Sequence, residues 1–260
     1  MSSAIDSFDE KMRRGIGRLG RTVVHKGELL RHPVYTRILH WLVAISFVLA
    51  LLSGFAVFSP VLFPWITPLF GGGPTARFLH PWFSLAFVIF FFFQFLNWLH
   101  AMVWTDADSR FMRHFKDYIT NRETLEPEDT GFFNGGQKLY FWAIVVSVIL
   151  FLISGLVMWF DNIIPGILVA ISYVIHDIAA LIMLAGFIIH IYESTAQQPG
   201  TFRSMIDGTV TAKWAWTHHP GWYRAMTGRD PREDYERALR ETERERGRIA
   251  EPGEPEAGKL

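Results

Sequence analysis

The chain has 260 residues, half of them apolar and 15% aromatic, and its 25 Lys+Arg balance 25 Asp+Glu. That balance means net charge gives no pointer to nucleic acid or to an anionic partner. The absence of cysteine excludes disulfides, thiolate-held iron–sulfur clusters and haem attached covalently through a Cys-x-x-Cys-His motif.

Residues 1–34 are polar and basic and lack the short apolar core of a cleaved signal peptide, so they are expected to form an N-terminal extension. Four apolar tracts follow, near 35–58, 78–103, 137–160 and 164–192, each long enough for the roughly 20 helical residues that cross a bilayer. Turn chemistry separates them: Ser59-Pro60 and Pro64 after the first, Gly71-Gly72-Gly73-Pro74 before the second, Asp161-Asn162 with Pro165-Gly166 between the third and fourth. A post-membrane segment covers 193–228. The tail at 229–260 is dense in Glu and Arg, as expected of a solvated helix that frays into partial disorder. The predicted fold is an all-α membrane protein, a four-helix bundle over 35–192 whose outer surface meets lipid.

Residues 1–37 carry eight Lys/Arg, whereas 59–77 holds only Arg77 and the turn at 161–164 none. By the positive-inside rule, both termini are expected in the cytoplasm. Tryptophans such as Trp41, Trp82, Trp142 and Trp159 lie near span ends, as an interfacial aromatic belt requires.

Ten histidines occur, and four stand out by depth. An ionisable side chain inside a span is expensive and marks a site. His40 lies near the cytoplasmic end of the first span, and His80 opens the second at the opposite surface. His176 and His190 share the fourth, about 21 Å apart and within about 40° of one helix face. Because the spans alternate in direction, His40 pairs in depth with His190 and His80 with His176. Two levels about 20 Å apart cannot build one tetrahedral zinc or copper site. Two neutral imidazoles per level suit six-coordinate b-type haem, which has no open position and favours electron transfer. Gly54, Gly155 and Gly186 give weak support for close approach of a macrocycle, since small residues also serve helix packing. Asp177 is expected to orient His176 or to face the outer water layer. His25, His32, His100, His114, His218 and His219 are expected at the surface or the interface.

Several segments resemble the gamma subunit, cytochrome b556, of respiratory formate dehydrogenases. They are Arg37-Ile-Leu-His40-Trp-Leu, Arg77-Phe-Leu-His80-Pro-Trp-Phe, Asn134-Gly-Gly-Gln137-Lys-Leu-Tyr-Phe-Trp142, the His176/His190 spacing and Gly200 to Gly208 with Lys213 to Arg224. The resemblance runs from about Arg31 to Met226. It implies a subunit rather than a stand-alone enzyme: a molybdenum- or tungsten-containing alpha subunit oxidises formate, an iron–sulfur beta subunit relays electrons, and the gamma subunit delivers them to quinone. It further implies that His80 and His176 hold an outer haem, and His40 and His190 an inner one. A quinone pocket, for menaquinone or ubiquinone, is implied at Asn134, Gly136 and Gln137 beside His190. Asn134 equally has the chemistry of a helix cap. Hydrogenase- and thiosulfate-reductase-linked cytochromes b share this plan, and a haem-free membrane anchor is the reading from a different class.

Overall fold

The computed structural model describes residues 27–120 and 129–250; the expectations for residues 1–26, His25 among them, and for 251–260 lie outside these. A short strand, β1 (Glu28–Leu30), leads into α1 (Val34–Phe58). The buried positions of α1 are small or hydroxylic, including Ser46, Ala50, Ser53 and Ala56. Ile38, Ile45 and Val57 face outward. In lipid, large apolar groups gain nothing by turning inward, and small residues let neighbouring helices approach. Ser46 donates to the Leu42 carbonyl and Ser53 to that of Leu49, each at 2.7 Å, which satisfies these hydroxyls inside the apolar span.

A one-turn helix, α2 (Phe63–Ile66), and a 3₁₀ turn at Thr67–Phe70 connect to α3 (Gly73–Trp98). This helix starts before the predicted 78 because Pro74 occupies its first turn, where an N–H has no intrahelical partner anyway. After α3 come α4 (Asp106–Arg113) and α5 (Phe115–Thr120), then the last two spans, α6 (Gly135–Trp159) and α7 (Gly166–Tyr192). The bounds of α1, α6 and α7 fall within two residues of prediction. All four spans are long and apolar enough to cross a membrane.

The spans form two antiparallel pairs, α1 with α3 and α6 with α7, which meet mainly through α3 and α6. Phe87, Phe91, Val148 and Met183 form the core where they meet. An even number of spans returns the chain to its starting side, called here the near side. There α8 (Arg203–Ile206), β2 (Thr209–Thr211), α9 (Ala212–His218), α10 (Pro220–Thr227) and α11 (Pro231–Ala250) gather. β2 pairs antiparallel with β1, Leu29 opposite Val210. Gly208 precedes β2 at φ +86°, and a Cβ there would lie 2.7 Å from the His32 carbonyl, so only glycine admits this strand entry. The charged tail is helical through Ala250, and Tyr223 ties it down by donating to Asp234 at 2.7 Å.

The near-side cap corrects one expectation. His100 and His114 are exposed, as expected, but His32, His218 and His219 are buried. The Arg31 guanidinium lies 4.0 Å from the Phe132 ring centre and 4.6 Å from that of Trp222, and donates to the Phe132 carbonyl. It also reaches His219 Nε2 at 3.2 Å, while His219 Nδ1 donates to Gly131 O at 2.8 Å. These contacts fix a neutral His219 that accepts from Arg31. The segment reads as polar in sequence because the partners that bury it lie far away in the chain.

Candidate cofactor-binding site

The spans bring the four intramembrane histidines together in two pairs. His40 on α1 and His190 on α7 have ring centres 6.2 Å apart. His80 on α3 and His176 on α7, toward the far side, are also 6.2 Å apart. A metal held in line between two imidazole nitrogens, about 2 Å from each, sets the ring centres about 6.3 Å apart. Each pair therefore has the separation that one bridging metal requires. Among the described residues no three His, Cys, Asp or Glu gather as a bare metal ion would need. Two ligands per level suit a metal whose remaining positions a macrocycle fills.

The hydrogen bonds behind the far-side pair decide which nitrogen points inward. His80 Nδ1 lies 3.0 Å from the Ala50 carbonyl and 3.1 Å from Ser53 Oγ. A carbonyl only accepts, so Nδ1 carries the proton and Nε2 is the bare nitrogen, free to bind a metal. His176 Nδ1 lies 2.9 Å from Ser154 Oγ, whose own hydrogen goes to the Leu150 carbonyl at 2.6 Å. Ser154 is thus an acceptor as well, and the partner of His176 is this serine rather than the adjacent Asp177. Gly54 lets the His80 ring pack close beside it, since a Cβ there would come within 3.1 Å of that ring. At Gly155 the distance to His176 is an ordinary 3.8 Å.

On the near side, His190 stacks on Tyr140, with ring centres 5.4 Å apart and planes 9° from parallel. A Cβ at Gly186 would meet that tyrosine at 3.1 Å, so Gly186 admits Tyr140. Trp41 donates to the Met205 carbonyl at 3.0 Å and Arg37 to that of Ile206, which latches the start of α1 to α8.

Asn134 and Gln137 form a reciprocal cap at the start of α6. Asn134 Oδ1 accepts from the Gln137 amide at 2.9 Å, and Gln137 Oε1 accepts from the Asn134 amide at 3.1 Å. Gly136 packs against Phe111, which a Cβ would approach to 3.3 Å. The next residue, Lys138, reaches the buried Asp108 at 2.7 Å and the Val103 carbonyl at 2.9 Å, clamping α4 to α6. Sequence reasoning missed Ser53, Ser154, Tyr140 and this ion pair. Hydroxyls inside apolar spans were the available signal, but nothing in their spacing names their partners.

A family model described as prokaryotic cytochrome b561 matches residues 31–208, a region that contains all four histidines. Its ends meet in the fold, where the Arg31 amide donates to the Gly208 carbonyl at 2.7 Å. The chain is 31% identical over 214 residues to the cytochrome b556(Fdn) subunit of the nitrate-inducible formate dehydrogenase of Escherichia coli K12, covering 81% of this chain and 97% of that protein. It is 31% identical to the b556(fdo) subunit of the same organism, over 76% of this chain and 93% of that one. The formate dehydrogenase cytochrome b556 subunit of Haemophilus influenzae is also 31% identical, over 75% of this chain and 82% of its own length. Membership of a cytochrome b family implies haem b, with which the histidine geometry agrees. The chain is an integral membrane protein of the prokaryotic cytochrome b561 family.

Proposed function

We propose that the chain is the membrane cytochrome b subunit of a bacterial formate dehydrogenase complex, carrying electrons from an iron–sulfur subunit through two b haems to quinone. The observation that carries this reading is the pair of histidine levels, each with the same 6.2 Å ring separation. His80 and His176 would hold the outer haem, facing the iron–sulfur beta subunit that relays from a molybdenum- or tungsten-containing alpha subunit. His40 and His190 would hold the inner one. When bound, haem supplies one-electron redox chemistry without an open coordination position. The protein's part is to present neutral imidazoles in a medium that excludes water and to hold their outer nitrogens in one tautomer. The eight Lys/Arg of residues 1–37 support a cytoplasmic near side in the inner membrane.

Menaquinone or ubiquinone would bind beside the inner level, near Asn134, Gly136 and Gln137, and draw its protons from the cytoplasm. Tyr140 supports this position, because it stacks on His190 and lies six residues, about 9 Å of helix, beyond Asn134.

The test is haem content and quinone reduction in the purified complex. Wild type should give two haem b per chain after dithionite reduction, and co-purify with a formate-oxidising subunit. His190→Ala should lose the inner haem together with quinone reduction and keep the outer haem's spectrum. One haem or none in wild type, or retention of both in the variant, would refute the assignment; a co-purifying hydrogenase would change the electron donor.

A further inference from the structure

Every span repeats across the two levels with a spacing of fourteen residues. The far level holds Gly54, His80, Ser154 and His176, and its counterparts fourteen residues away are His40, Gln94, Tyr140 and His190. Fourteen residues are nearly four helical turns, so both members of each pair lie on one face, about 40° apart. All four far-level residues already meet in pairs across the bundle: Gly54 lies against His80, and Ser154 holds His176. On the near level Tyr140 stacks on His190. Gln94 is the member without a role.

The register between α1 and α3 locates it. Ser53 meets His80 and Thr36 accepts from Asn97, seventeen residues along each helix in opposite directions. Gln94, three residues before Asn97, therefore faces the turn of α1 that carries His40. It is 4% exposed. Both polar atoms of its carboxamide are buried without a hydrogen-bond partner among the described residues, and so is His40 Nδ1. Native interiors rarely leave such groups unpaired, and two on facing helices at one depth point to a shared purpose. The contrast with the far side is direct, for both histidines there have an acceptor on Nδ1.

We propose that Gln94 is the positioning residue of the near-side haem ligand, its Oε1 accepting the Nδ1 proton of His40 when haem is bound. This rests on the two-haem reading above. An acceptor on Nδ1 raises the basicity of Nε2 and fixes the plane of the ring, which favours the ferric over the ferrous state. Gln94 then does for His40 what Ala50 and Ser53 do for His80 and Ser154 does for His176.

The experiment is a redox titration of the two haems in the purified complex, with low-temperature EPR of the ferric low-spin signals, for wild type, Gln94→Met and Gln94→Glu. The methionine is close in shape and removes the acceptor, so the near-side potential should rise. An effect of about tenfold on its reduction equilibrium corresponds to about 59 mV for one electron. The glutamate is a stronger acceptor and should shift the same potential downward. The near-side EPR signal should move in both variants, while the far-side haem stays as in wild type. Unchanged near-side potential and EPR, equal shifts of both haems, or loss of both haems from the methionine variant would overturn the proposal. A wild type without two haems would instead overturn the reading beneath it, before any variant is compared.

Discussion

On the proposed two-haem reading His176 binds metal through Nε2 and needs its Nδ1 proton held, and Ser154 accepts that proton while sending its own hydrogen to Leu150. Removing that hydroxyl should leave the helix intact and the imidazole less basic. Ser154→Ala is therefore expected to raise the far-side haem potential and weaken retention of that haem by roughly tenfold, at the lower end for such outer contacts. Redox titration and haem content after detergent washing check this. Ser53→Ala should have a smaller effect, because the Ala50 carbonyl remains 3.0 Å from His80 Nδ1. The histidines themselves were legible in the sequence, since a charge-capable ring deep in an apolar run is expensive and helix rise fixes its depth. The serines were not. Their role depends on how far each neighbouring helix is rotated about its axis, and one chain's hydropathy carries no record of that rotation.

The start of α6 puts two functions on one turn. Asn134 and Gln137 cap the helix reciprocally, and the same pair is proposed to meet quinone. The two roles separate by substitution. Asn134→Ser keeps a good capping oxygen but removes the amide donor, so helix stability should stay close to wild type while the KM for quinone rises. Asn134→Ala should lose about 1 kcal/mol of stability from the cap as well. Thermal unfolding alongside quinone-reductase kinetics distinguishes them, and equal kinetics for serine variant and wild type would leave Asn134 with the cap alone. Spans were readable at this scale because length and turn residues determine them. The early start of α3 was not, since Gly71-Gly72-Gly73-Pro74 signals a turn and a helix N-terminus alike. Nor was the Lys138–Asp108 clamp, whose partners stand thirty residues apart on two different helices.

At the scale of the molecule, a membrane bundle carries a water-side cap whose core is built around a buried cation and three buried histidines. Burial, and then the charge of Arg31, hold His32 and His219 well below the usual histidine range and lower His218 to about 4. These rings are neutral in the folded cap, whereas in an unfolded chain they titrate near 6.5. Above that value neither state binds the protons, and the cap keeps its full stability. As pH falls from 6.5 toward 4, the unfolded segment takes up protons that the folded cap refuses, and stability is lost progressively. Hydrogen exchange, corrected for its intrinsic pH dependence, should therefore quicken in β1, β2, α9 and α10 between pH 6.5 and 4, while the buried stretches of α3 and α7 stay protected. His218→Gln should flatten that pH dependence. Equal protection of the cap at pH 7 and pH 4.5 would count against it. The consequence reaches the near-side site, because Arg37 and Trp41 latch α1 to α8 on either side of His40. A loosened cap frees the end of the helix that presents this histidine, so on the proposed two-haem reading the near-side haem should become labile under acid before the far-side one, whose histidines are held by contacts within the spans.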